Sequence, residues 1–216
     1  MSVEDLLSHP LLWRGTDGAS TPAIATGFDG LDRYLPGGGW PISGINEIFV
    51  ERYGVGELRV LMPALARLSQ IAVEAKKWIV WVAPPFVPYA PALVHHGVDL
   101  SRILLVHPPG PKSKRKSGAI SANPEEALWA VEQAIRSQSS VAALAWIEKA
   151  DVTSLRRLQL GAEAQRCWTV LFRPIEAMTQ SSPAALRFKL SPADGQADIR
   201  LEIQKCRGRR PTSFLL

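Results

Sequence analysis

The sequence predicts an α/β fold: a mostly parallel sheet covered by helices on both faces, with antiparallel strands at one edge. Three observations predict it. Short apolar runs alternate with helix-spaced segments about four times, and that alternation specifies parallel strands joined by helical crossovers. The last two strand-like segments instead alternate apolar with polar residues, as a sheet with one solvated face does. The chain has 216 residues and is 46% apolar, enough for a single sizeable core.

The elements follow in chain order. Residues 1–25 read as an N-terminal arm, with a small apolar patch at Leu6, Leu7, Leu11, Leu12 and Trp13. A patch that small cannot form its own core, so it is expected to dock on the body, a partner or a second copy. Residues 26–216 are read as one domain. Thr26 to Asp32 and Leu35 to Pro41 are turn-dense. Ile45 to Val50 reads as a buried strand, Gly54-Val55-Gly56 as a tight turn, and Glu57 to about Ala75 as a helix with apolar residues at Leu58, Leu61, Leu65, Leu68 and Ala72.

Trp78 to Ala83 is a central strand, Pro88 to His96 a helix stopped by Gly97, and Ile103 to Val106 a strand. Pro108 to Ala122 is a loop rich in Pro, Gly, Ser and Lys. Asn123-Pro124-Glu125-Glu126 opens a helix with a cap, a proline and first-turn acids. Val141 to Ile147 is a strand, 153–166 a helix and Trp168 to Phe172 a strand. Ala185 to Leu190 and Ile199 to Ile203 form the closing hairpin.

The charge is local. Net charge is +5, from 25 basic and 20 acidic residues. Eight of the cations lie in two clusters: Lys112, Lys114, Arg115 and Lys116 in the long loop, and Lys205, Arg207, Arg209 and Arg210 near the C-terminus. Without them the balance is 17 against 20. Local basic patches suit a polyanion such as single-stranded DNA. A solvated loop accounts equally well for the first cluster, and an acidic protein partner is the other use of the second.

Two cysteines, Cys167 and Cys206, exclude a disulfide framework or a CxxC zinc site and read as buried thiols. His95-His96 reads as a surface pair, not a metal site. Trp78, Trp81, Trp146 and Trp168 fall in strands and are expected in the core. Trp13 and Trp40 lie in irregular segments, where an exposed tryptophan marks a docking surface. No run approaches a membrane span and the N-terminus lacks signal-peptide character, so a cytoplasmic location is expected.

The strand–turn–helix at 45–75 is where a nucleotide-binding α/β fold places its phosphate loop, G-x-x-x-x-G-K-[ST]. Here the segment reads Val50-Glu51-Arg52-Tyr53-Gly54-Val55-Gly56-Glu57-Leu58. Gly56 fits the second glycine. Val50 stands for the first, Glu57 for the lysine and Leu58 for the hydroxyl, and the loop is one residue longer. A carboxylate in place of the lysine reverses the electrostatics at a few Å from a phosphate.

Several words of the sequence carry a resemblance. They are Thr26-Gly27-Phe28-Asp29-Gly30-Leu31-Asp32, Leu35 to Pro41, Gly54 to Leu58, Pro84 to Pro91, Leu128-Trp129-Ala130, Trp146, Leu155-Arg156-Arg157-Leu158-Gln159-Leu160 and Pro183-Ala184-Ala185-Leu186-Arg187. Together they resemble the ImuA family of translesion-synthesis accessory proteins, which are similar to RecA and to the division inhibitor SulA. The resemblance implies a RecA-like core. Read onto it, Pro84 stands where the catalytic glutamate belongs, Trp146 where the magnesium-binding aspartate belongs, and Arg173-Pro174 at the nucleotide sensor. Phosphoryl transfer needs the lysine, the metal and the acid together, so no ATPase activity, cofactor or metal is expected. Glu148, two residues past Trp146, does not rescue a magnesium site that lacks its hydroxyl.

By resemblance the chain would be a non-catalytic accessory protein in SOS-induced mutagenic translesion synthesis and DNA-damage tolerance. Its partners would be an ImuB-like Y-family polymerase homologue, an error-prone C-family DNA polymerase, and RecA itself. The alternatives are a SulA-like division inhibitor that binds the tubulin-like division protein, and an ATPase with an unorthodox site.

Overall fold

In a computed structural model, residues 22–54, 56–110, 122–193 and 198–216 are described. The arm residues 1–21 and the basic cluster Lys112 to Lys116 lie outside them. A two-stranded ribbon of β1 (Ala23–Ile24) and β2 (Trp40–Pro41) brackets the short helix α1 (Asp29–Tyr34). The Thr26–Asp32 word folds on itself: Thr26 N–H donates to Asp32 Oδ1 at 2.7 Å, and Phe28 N–H to Thr26 Oγ1 at 3.0 Å. Gly39 presses on the chain at Ile24, where a Cβ would come within 2.1 Å of the Ile24 carbonyl oxygen. Two of the words that carry the resemblance are therefore packing requirements.

The main sheet has eight strands: β3 (Ile45–Val50), β4 (Trp78–Val82), β5 (Ile103–Val106), β6 (Ser140–Trp146), β7 (Trp168–Pro174), β8 (Leu186–Pro192), β9 (Ile199–Cys206) and β10 (Thr212–Leu215). Their spatial order is β10-β9-β8-β3-β7-β6-β4-β5. From β8 to β5 all neighbours are parallel; β9 and β10 run antiparallel at one edge. The crossover helices are α2 (Met62–Glu74), the short α3 (Ala90–His95), α4 (Pro124–Arg136) and α5 (Val152–Gln165). The mixed α/β, mostly parallel architecture is as the sequence predicts.

Each face of the sheet has its own core. One joins α1 and α2 through Leu31, Leu65, Leu68, Trp81, Phe172 and Phe188. The other joins α4 and α5 through Val131, Ile135, Leu155, Leu158, Val82 and Leu171. The Asn123 cap acts as read, accepting from Glu125 N–H at 3.0 Å, and the structure adds a second cap at Asp151, which accepts from Ser154 N–H at 2.6 Å.

The structure corrects several expectations. The helix read from Glu57 begins at Met62, after a 3₁₀ turn at Arg59–Leu61. Pro63 has no N–H to return to Arg59, so it is tolerated only in the first turn. Trp40 is no docking residue; it is 1% exposed and stacked on Phe188 with centroids 5.5 Å apart. Trp78 is only half-buried, with the Arg102 guanidinium over its ring. The strand β10 was not anticipated. The residues after Lys205 are no trailing tail but the turn of a second hairpin.

Candidate functional site

Ligands of an open α/β sheet bind beyond the carboxyl ends of its strands. At that end lie the loop after β3, Pro84 after β4 and Trp146 at the end of β6. Glu57 is 5% exposed, and its carboxylate turns back into its own loop. Gly54 N–H donates to both oxygens, at 2.9 and 3.0 Å. A backbone amide that could meet an anion is thus engaged by the chain's own carboxylate.

The space directly beyond Pro84 and Trp146 is small, although a more open cavity of about 520 Å³ adjoins it on the side of Lys149, Arg173 and Glu176. Tyr53, Ala83, Pro85, Pro124, Trp146 and Glu148 line the small space, about 30 Å³. That is about one water's share of liquid volume, against roughly 300–1,000 Å³ for a typical small-molecule pocket. Trp146 is 6% exposed and packs against Phe172 at 4.6 Å and Trp81 at 5.9 Å. Pro84 is buried behind Ala83, whose backbone is left-handed at φ 54°. The Tyr53 phenol is held above its ordinary range, chiefly by burial, then by the nearby Glu148 and Glu57. It stays neutral at any physiological pH.

Beneath this end lies a charge cluster that the sequence reading missed. Glu47 on β3 is fully buried and pairs with Arg173 of β7 at 2.7 Å and Arg187 of β8 at 2.8 Å. Arg173 also donates to Gln180 Oε1, and Gln180 to the Ala150 carbonyl. Arg187 donates to the Met178 carbonyl and lies over the Phe49 ring. The position read as a nucleotide sensor is therefore a structural cation. A glutamate inside an otherwise buried strand was the available signal, because a buried carboxylate needs a cation.

The second basic cluster sits at the opposite end of the sheet. Cys206 pairs with Leu186, the first residue of β8, so the turn of Arg207 to Arg210 projects from the amino ends of the parallel strands. The turn is tight: Arg209 N–H donates to the Cys206 carbonyl, and Gly208 supplies the left-handed residue at φ 72°. Tyr34 clamps it, donating its hydroxyl to the Arg210 carbonyl and lying beneath the Arg209 guanidinium at 5.7 Å. Lys205 Nζ donates to the Ser182 carbonyl at 2.9 Å. Among the described residues, no carboxylate forms an ion pair with Lys205, Arg207, Arg209 or Arg210. Burial, then Arg187, lowers the Lys205 pKa.

The ends of the long loop meet, since Asn123 N–H donates to the Pro109 carbonyl at 3.1 Å. That point follows β5, at the far edge of the sheet and at the carboxyl end of its strands. The structure does not bring the two basic clusters' attachment points together. Among the described residues, no group of three or more His, Cys, Asp or Glu is placed to hold a metal, and no helix is long and apolar enough to cross a membrane. His95 and His96 are exposed, as read.

Fold and site define a mixed α/β protein with a self-filled loop after its central strand and a clamped basic turn at the other end of the sheet. The resemblance read from its sequence words is borne out. The chain is 28% identical over 218 residues to Protein ImuA of Caulobacter vibrioides, from strain NA1000 / CB15N and from strain ATCC 19089 / CIP 103742 / CB 15 alike, covering 91% of this chain and 83% of that protein. No family model matches. Among solved structures, SulA from Pseudomonas aeruginosa aligns with a TM-score of 0.43 and 23% identity, over 60% of this chain and 97% of that one.

Proposed function

We propose that this chain is a non-catalytic accessory protein of damage-induced mutagenic DNA synthesis, built on a RecA-like core whose nucleotide site has lost its chemistry. The observation that carries the reading is the Glu57 carboxylate seated on the Gly54 amide. It puts a negative charge where a phosphate would need a positive one, and only about 30 Å³ is left between Tyr53 and the Pro85 and Trp146 side of the strand ends. Neither Pro84 nor Trp146 can hold a metal or activate water. The likeness to ImuA over most of both chains supports the cellular role.

Function then rests on binding. The partners are an ImuB-like Y-family polymerase homologue and an error-prone C-family polymerase, with RecA a third. The basic turn adds contact with nucleic-acid phosphates: its cations are exposed and lack acidic partners among the described residues, and Tyr34 holds the turn at Arg209 and Arg210.

Calorimetry with ATP and magnesium tests the first part. No binding is expected for the native protein, and Glu57→Lys is expected not to restore hydrolysis, because the metal ligands are still missing. ATP turnover by the native protein that vanishes on Glu57→Ala overturns the reading. Affinity capture from DNA-damaged cells tests the second part. Recovery of the tubulin-like division protein in place of polymerase subunits would transfer the chain to the division-inhibitor class.

A further inference from the structure

A separate cavity of about 190 Å³ opens beside the basic turn, at the amino ends of β3 and β8. Its wall is largely apolar, contributed by Pro36, Pro41, Pro183 and Ala185. Lys205 and Arg207 stand at one side and Glu163 of α5 at the other. Gln159 also lines it, with both ends of its amide engaged: it accepts from Ile45 N–H at 2.9 Å and donates to Glu163 at 2.8 Å. The Glu163 carboxylate, which accepts from Gln159 through one oxygen, is the acceptor on this side. Since β9, β8 and β3 lie side by side and Gln159 is tied to the start of β3, the lining runs from the cations at the end of β9 past the apolar segment before β8 to the acceptor on α5.

An anion alone satisfies only the first of these. A ligand that matches all three carries a phosphate, a flat and weakly polar ring, and an N–H or amino group on the ring's far side. That describes a nucleotide. At about 190 Å³ the cavity is smaller than the roughly 300–1,000 Å³ of a typical small-molecule pocket, a size suited to one ring rather than a whole ligand. The walls formed by α5, the segments leading into β3 and β8, and the end of β9 close the cavity on several sides. An internal residue of a strand would need an exit for the chain; a terminal residue does not.

We infer that this cavity holds the phosphorylated terminal nucleotide of a single nucleic-acid strand, its phosphate on Lys205 and Arg207 and its base in the proline-lined slot facing Glu163. The inference rests on the nucleic-acid contact proposed above. Arg209 and Arg210, on the far side of the turn, then contact the backbone of the same strand without reading its end.

The test is fluorescence anisotropy at low salt with one short single strand in three forms: 5′-phosphorylated, 3′-phosphorylated and hydroxyl-ended. One phosphorylated form is expected to bind about five- to tenfold more tightly than the hydroxyl-ended strand, the worth of one charge-assisted contact. A free nucleoside monophosphate should erase that preference. Ala185→Leu, which fills the slot and keeps every cation, should erase it while the hydroxyl-ended strand binds as before. Lys205→Gln should erase it too, without filling the slot. Arg209→Ala with Arg210→Ala should weaken all three forms alike. Equal binding of the three forms by the native protein overturns the pocket and leaves the nucleic-acid contact standing. So does a preference that survives Ala185→Leu, or displacement by an acidic peptide as readily as by the nucleotide. No binding of any form removes both.

Discussion

Glu47 ties three strands together through two arginines, and it does so inside the sheet. Removing one partner of a buried ion pair leaves the others desolvated without compensation, at about 3–5 kcal/mol. Glu47→Gln should therefore lower the unfolding free energy by about that amount, more than a surface pair such as Arg136–Glu132 contributes at about 0.5 kcal/mol. Urea denaturation of Glu47→Gln and of Arg136→Ala compares them, and equal losses would show that the two arginines find other acceptors. The thiols give a second prediction. Burial raises Cys167 and Cys206 from an ordinary 9.0 to about 11. Between those values the unfolded chain has released thiol protons that the folded chain keeps, so stability falls as pH rises through that window. Native protein at pH 8 should resist maleimide labelling until denaturant is added. Rapid labelling without denaturant would place at least one thiol at the surface.

At the level of elements, the ribbon of β1 and β2 seals one core, with Trp40 stacked on Phe188. Trp40→Ala should cost about 3–5 kcal/mol, and thermal unfolding measures it; an unchanged melting temperature would mean that the ribbon is peripheral. Most elements were legible in the sequence because local chemistry sets them. Asn123, Pro124 and two acids start α4, and Gly97 follows α3 at φ 82°. The misreadings arise where long-range packing decides. Trp40 sits in a segment without periodicity, and its burial depends on β8. The strand β10 has four residues behind a basic turn, and it exists because β9 offers it an edge. At the candidate site, the reversed charge at Glu57 was legible, but its return onto the Gly54 amide was not, because loop closure leaves no periodic trace.

For the whole molecule, the two basic clusters attach at opposite edges and opposite ends of the sheet. Clusters attached at such separate points are expected to contact a strand independently, so their contributions to nucleic-acid binding should add within about 0.5 kcal/mol. Replacing Lys112, Lys114, Arg115 and Lys116 with Ala, then Lys205, Arg207, Arg209 and Arg210, then all eight, gives the cycle. Each cluster should also reduce the salt dependence by its own share, about 0.7 per phosphate released on a single strand. Losses in the combined variant well short of the sum would mean that both clusters serve one site.

The position of β3 at the centre of the sheet sets a timetable for biosynthesis. Its hydrogen-bonding neighbours are β7 and β8, which the ribosome delivers last among the parallel strands. Six consecutive buried residues, Ile45–Val50, must wait for them. Until Arg173 and Arg187 emerge, Glu47 also lacks its counter-charges. Domains are made at about 5–20 residues per second, so the nascent chain holds an unpaired, largely apolar strand for several seconds. Yield in the cell should then track chaperone supply and translation speed more closely than the stability of the finished protein would suggest.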